Sequence, residues 1–152
     1  MSLQHLFMNE LDCEVKSLKV NTVPVIPQFN IFPFKGSFGT QGERYLSSYA
    51  GTGSTNNEFT NGIQIFRPTK ISMIIARKSN DSPTTVFQLF KSDINFANFT
   101  NIDTITIIAG LKLSVKIIDY TLQTGDILLV STTSSGAGNP QDVSVFIESQ
   151  NA

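Results

Sequence analysis

Between residues 104 and 149 the chain is a series of short apolar runs separated by turn signals. The runs span 104–108, 111–119, 126–132 and 142–149. The breaks are Ala109-Gly110, Gln123-Thr124-Gly125 and Ser135-Gly136-Ala137-Gly138-Asn139-Pro140. Each run alternates or is solidly apolar, and none is long enough for a typical helix. Gly, Asn and Pro at the breaks supply the backbone conformations that tight turns require. This pattern predicts an antiparallel β-sandwich that ends on its own last strand.

The same punctuation continues upstream. Strand-length runs fall at 29–34, 44–49, 63–67, 70–77 and 85–91, with turns at 79–84 and a loop at 92–101. Residues 35–62 hold six of the ten glycines and read as turn-rich. Together the runs make about eight or nine strands, with turn signals every ~8–12 residues, as in sandwiches and jelly rolls. Strands do not alternate with helices as a parallel α/β sheet would require. In the 85–91 strand, Val86, Gln88 and Phe90 share one face, and Phe87 and Leu89 the other.

Residues 1–28 read as an arm, and 29–152 as a single head domain. Leu3, Leu6, Phe7 and Leu11 follow helical spacing behind Ser2, a residue suited to an N-cap. Ten residues make a marginal helix, so this stripe needs a surface to pack on. Residues 15–20 form a short strand pattern, and Pro24 and Pro27 keep the rest of the arm extended. The expectation is an anchoring arm whose contact residues are Leu3, Leu6, Phe7 and Leu11.

Charge and cysteine content exclude several classes of partner. Only 15 % of residues are charged, against about 25 % in ordinary soluble domains. Eleven basic and twelve acidic residues nearly cancel, so neither nucleic acid nor an anionic membrane is attracted. Cys13 is the single cysteine, which rules out an intrachain disulfide. The first residues have neither the basic start nor the apolar core of a signal peptide. No apolar run approaches the ~20 residues that a membrane-spanning helix needs. Cytosolic synthesis is therefore expected, with no membrane insertion.

The candidates for chemistry all have simpler explanations. His5 is the only histidine and sits in the arm. Cys13 has no partners at zinc-ligand spacing. Glu10, Asp12 and Glu14 read as a solvated acidic edge, and Asp119 and Asp126 as residues flanking a turn. The glycine cluster at 36–42 lacks the Lys-Ser/Thr and the helix of a phosphate-binding loop. Phe87, Phe90, Phe96 and Phe99 suggest a stacking platform for sugars, but packing in the core or between subunits explains them better. No catalytic residue, cofactor or metal is expected.

Three segments carry a resemblance. They are 42–51, then 71–90 with its turn, then Gly125-Asp126, the apolar run Ile127 to Val130, the turn Ser135-Gly136-Ala137-Gly138, and Asp142, Val143, Val145 and Ile147. Together they resemble the trimeric globular heads of viral and phage fibre, spike and capsid-decoration proteins, jelly rolls of the tumour-necrosis-factor and complement-head type. The resemblance covers about residues 36–150. The chain departs from the fibre pattern in lacking a collagen-like stalk, for which the arm substitutes.

What the resemblance implies is an all-β, antiparallel jelly-roll sandwich of about eight strands with a short N-terminal arm. It further implies a non-enzymatic homotrimer in the virion, docked on a capsid or base protein through the arm. The alternative is a lectin-like head that binds a host-surface glycan or receptor through loops such as 50–61 and 92–101. Twelve Phe residues and a low charge fraction leave apolar surface for subunit contacts. The residues expected there are Phe87, Leu89, Tyr120 and Phe146.

Overall fold

The computed structural model describes residues 29–38, 43–48, 62–81, 84–135 and 141–152. The arm, with Leu3, Leu6, Phe7 and Leu11, and the loop at 49–61 lie outside the described residues. The described residues form nine strands and no helix. These are β1 (Phe29–Phe38), β2 (Arg44–Tyr45), β3 (Ile63–Gln64), β4 (Thr69–Lys78), β5 (Thr84–Ser92), β6 (Thr100–Ile107), β7 (Leu113–Leu122), β8 (Ile127–Ser135) and β9 (Gln141–Asn151).

The pairings are nested. β1 pairs with β9, the short β2 and β3 both pair with β8, β4 pairs with β7, and β5 pairs with β6, all antiparallel. A chain paired in this way is one long hairpin rolled over on itself. It splits into two sheets, β1-β9-β4-β7 and β2-β8-β5-β6, with β3 beside β8. That is a jelly-roll arrangement.

The sheets face each other across an apolar core. Ile71, Ile74, Ala76, Val145 and Ile147 of one meet Phe87, Leu89, Ile105, Ile107, Leu128 and Val130 of the other. Along β5 the predicted alternation holds, with Thr85, Phe87, Leu89 and Ser92 buried and Val86, Gln88 and Phe90 half-buried. Pro33 is tolerated because β1 is an edge strand, paired only with β9 over that stretch. At its far end, Lys35 exchanges two backbone hydrogen bonds of 2.9 Å with Ser47, which ties the edge of one sheet to the other.

Several boundaries differ from expectation. β6 begins at Thr100 rather than 104, because an irregularity between Leu89 and Phe90 lets the β5–β6 ladder run on to Lys91 and Thr100. The 63–67 run keeps two strand residues. Past Gln64 the chain turns toward β4, held by Ile65 N–H on the Asp126 carbonyl and Gly125 N–H on the Ile65 carbonyl, both 2.8 Å. Gly36, expected in a turn, continues β1. Lys78 ends β4 pointing inward and is buried, its ammonium donating to the carbonyls of Asp81, Ile107 and Ile108. Burial lowers its pKa, partly offset by the nearby Asp81.

One end of the sandwich collects most of the described loops. The starts of β1 and β4, the ends of β9 and β7 and the 65–68, 93–99 and 123–126 connections all lie there. The chain enters at Phe29, so this is the entry end.

Replacing Phe87, 1 % exposed, by Ala should cost about 3–5 kcal/mol of unfolding free energy in a denaturant titration. Lys78→Met removes a buried charge but leaves carbonyls unpaired. The wild-type lysine, with its lowered pKa, is most costly to bury when protonated, so the cost of this substitution, read from denaturant titrations at each pH, should fall as pH drops through the lysine range and level off below it.

Candidate subunit interface

The outer faces of the two sheets differ in chemistry. On the β2-β8-β5-β6 sheet, the outward residues at the β6 edge are Thr104 and Thr106, exposed and polar. On β8 the outward Ile127, Leu129 and Ser131 are themselves covered, Gly62 lying so close that an added Cβ would sit 2.4 Å from the Ile127 side chain. The outer face of the β1-β9-β4-β7 sheet is apolar instead.

Strand register builds this face row by row. Pro33, Phe146, Ile75 and Val115 stand side by side across all four strands. The next row is Ile31, Glu148, Met73 and Ile117. Glu148 is the one charge in these two rows, and it accepts a hydrogen bond of 2.8 Å from Ser72. Charges border the stripe. Lys35 and Arg77 lie in the row on one side, and Lys70, paired with Asp119 at 3.1 Å, lies on the other. An apolar centre within a polar rim is the usual anatomy of a protein–protein contact.

β7 carries the strongest sign. Over residues 113–117 it is inside out. Leu113, Val115 and Ile117 point to solvent, with Ile117 84 % exposed, while Ser114 and Lys116 point toward the other sheet. Lys116 reaches the Asp103 carboxylate and the Thr104 carbonyl on β6. From Ile118 onward the order is normal, with Ile118 and Tyr120 packed on the core and Leu122 fully buried. Ile108 and Leu111, at the turn that precedes β7, are also exposed. Three exposed branched side chains in one row of an edge strand form a contiguous apolar patch rather than scattered surface residues.

The four interface residues expected from sequence separate. Phe87 and Leu89, 1 % and 3 % exposed, are in the core, so neither can touch a second subunit. Their shared face is the inward one, because it meets the opposite sheet. Tyr120 also faces inward, half-buried, and hydrogen-bonds Lys91. Phe146 alone lies on the outer face, next to Ile75. Leu113, Val115, Ile117, Ile31 and Met73 were missed, although the phase change between Ile117 and Ile118 is written in the sequence.

The loop considered for glycan contact is built around Asp93. Its Oδ1 accepts from the backbone N–H groups of Asn95 and Ala97, both at 3.0 Å, and its Oδ2 from the Asn98 amide at 2.6 Å. The Ala97 bond first, then the Asn98 bond, hold this carboxyl below its ordinary pKa. Phe96 sits within the loop at φ 54°, a left-handed conformation that a bulky side chain rarely adopts. Beside it is a cleft of about 590 Å³ lined, among the described residues, by Ser48, Gly62, Gln64 and the apolar Ile63, Phe66, Ile94, Phe96 and Ile127, none of them charged. Among the described residues, no group of three or more His, Cys, Asp or Glu could hold a metal ion.

Fold and face together define an all-β, antiparallel jelly-roll sandwich, one sheet of which is apolar and exposed among the described residues. No protein-family model and no curated protein matches the sequence. Among solved structures it shows a remote likeness to "Structure of Eiger TNF from S. frugiperda", with a TM-score of 0.42 and 12 % identity over 83 % of this chain and 93 % of that one.

Ile117→Asp should leave the subunit folded, since the side chain makes little contact within it, but should lower the native mass. Circular dichroism and light scattering on the same sample check both outcomes. A folded variant of unchanged mass would remove Ile117 from the interface.

Proposed function

We propose that this chain is a non-enzymatic, oligomeric head whose copies associate through the outer face of the β1-β9-β4-β7 sheet. The observation that carries this reading is the inside-out segment of β7. A subunit that stayed alone in water would gain by exchanging Leu113, Val115 and Ile117 for polar residues. Burying each such side chain is worth about 1.5–3 kcal/mol. The occupant that fits is another copy. The stripe crosses the whole sheet, so its β7 half in one copy can meet the β1 half of the next. Such head-to-tail contacts close into a ring when the rotation between copies is a whole fraction of a turn. Three copies is the number that the sequence resemblance implies.

In this assembly the outer face of the β1-β9-β4-β7 sheet is turned inward, and the loops at both ends stay exposed. That placement favours a head that binds a receptor or glycan over a purely structural plug. The setting inferred with it is the one that the resemblance implies, a virion fibre, spike or capsid-decoration component.

Size-exclusion chromatography with light scattering tests the assembly. The expected native mass is three times the 16.7 kDa of the chain. A stable monomer at micromolar concentration would contradict the reading. A glycan array on the same assembly tests receptor function separately, with a specific glycan expected to bind and its competitors not.

A further inference from the structure

The cleft at the entry end has no place in the oligomer described above. Its described lining is mainly apolar and carries no charge, and two of its side chains stand far into solvent, Phe66 at 78 % exposed and Ile94 at 61 %. One wall is set by the Asp93 hydrogen bonds and by the left-handed Phe96. We propose that this cleft seats the chain's own N-terminal segment, with Leu3, Leu6, Phe7 and Leu11 packed against Phe66, Ile94 and Phe96.

Three observations select this occupant. The first is position. Residues 1–28 join the head at Phe29, the start of β1. That is the entry end, where the cleft's 63–66 and 94–96 segments also lie. β1 also lies on the same side of the sandwich as β2, as the Lys35–Ser47 bridge shows. The second is length. Residues 12–28 separate the stripe from Phe29, and seventeen residues extended at ~3.3 Å each reach ~56 Å, more than a fold-back to the cleft requires. Tethering at this distance gives an effective concentration of about a millimolar or more, so a weak contact suffices.

The third is chemistry. A ten-residue amphipathic segment does not hold a helix without an apolar surface, and the cleft supplies one. Glu10, Asp12 and Glu14, at the end of the stripe and beyond it, are opposite in charge to the exposed Arg67 next to Phe66. The described lining of the cleft offers a charged ligand no counter-charge. Docking of the arm is independent of the oligomer, because the cleft and the apolar sheet share no residue.

The test uses the full chain with Cys13→Ser, so that introduced thiols are the only ones. Phe7→Cys and Ile94→Cys are combined and mildly oxidised. The expected product is an intrachain disulfide, seen as a mass loss of two hydrogens and faster migration without reductant. The control pair, Phe7→Cys with Thr106→Cys at the other end of β6, should stay reduced. Equal yield in both pairs, or no disulfide in the first, would overturn the docking site. So would an interchain product, which would place a neighbouring chain's segment in the cleft.

A second readout avoids cysteines. The chain has no tryptophan, so Phe66→Trp gives a single reporter in the cleft. Adding Leu6→Asp and Phe7→Asp should shift its emission to the red while circular dichroism and native mass stay unchanged. Unshifted emission in that folded variant would overturn the proposal.

Discussion

The register between β7 and β4 decides which side chains of the chain's most apolar edge meet water. Leu122, Tyr120 and Ile118 must point into the core, and the ladder puts Tyr120 opposite Ile71 and Ile117 opposite Met73. The irregularity at Ile71/Met73 on β4 absorbs one residue, so Ile74 and Ala76 still face inward beyond it. β7 has no such adjustment. It alternates strictly, and its odd positions, Leu113, Val115 and Ile117, all emerge on the outer face. A slip of one residue would bury them, but it would also expose Leu122 and turn Tyr120 away from Lys91. The inner end of the strand therefore fixes the exposure of the outer end.

Two polar arrangements make that register tolerable. Lys116, at an inward position, lies at the open side of the sandwich and satisfies its ammonium on Asp103 and the Thr104 carbonyl. Lys112 pairs with Asp81 at 3.3 Å near the adjoining turn. Both are partly solvated and add little to stability by themselves. Lys116 on β7 and Asp103 on β6 also place charges on these edge strands, which discourages open-ended strand pairing. The apolar face is thus presented for face-on burial, not edge-on growth. The entry end meets a different demand, since the described residues there line a cleft without a charged side chain.

Much of the fold was legible because strand length and turn residues are local. The boundaries of β4, β5, β8 and β9 follow directly from their apolar runs and from the Gly, Asn and Pro between them. The facing of those strands was not legible. Phe87 and Leu89 share a face in any strand, but which face is inward depends on the sheet opposite. The phase change at Ile117-Ile118 is present in the sequence, yet it is hidden inside one continuous apolar run. Its meaning needs a fixed inward reference, which Leu122 supplies only once the pairing with β4 is known. The cleft was beyond reach for another reason. Phe66 and Ile94 come from two separate connections and Ile127 from the start of β8, and no spacing rule joins them.

The central claim is that the outer face of the β1-β9-β4-β7 sheet is covered in the native protein. Hydroxyl-radical footprinting of the native sample, read residue by residue, tests it most directly. Leu113, Val115 and Ile117 should be protected at working concentration and become labelled on dilution, while exposed Phe99 serves as a reference for loop reactivity. Full labelling of Ile117 at every concentration, as its 84 % exposure in the single subunit would give, would contradict that claim.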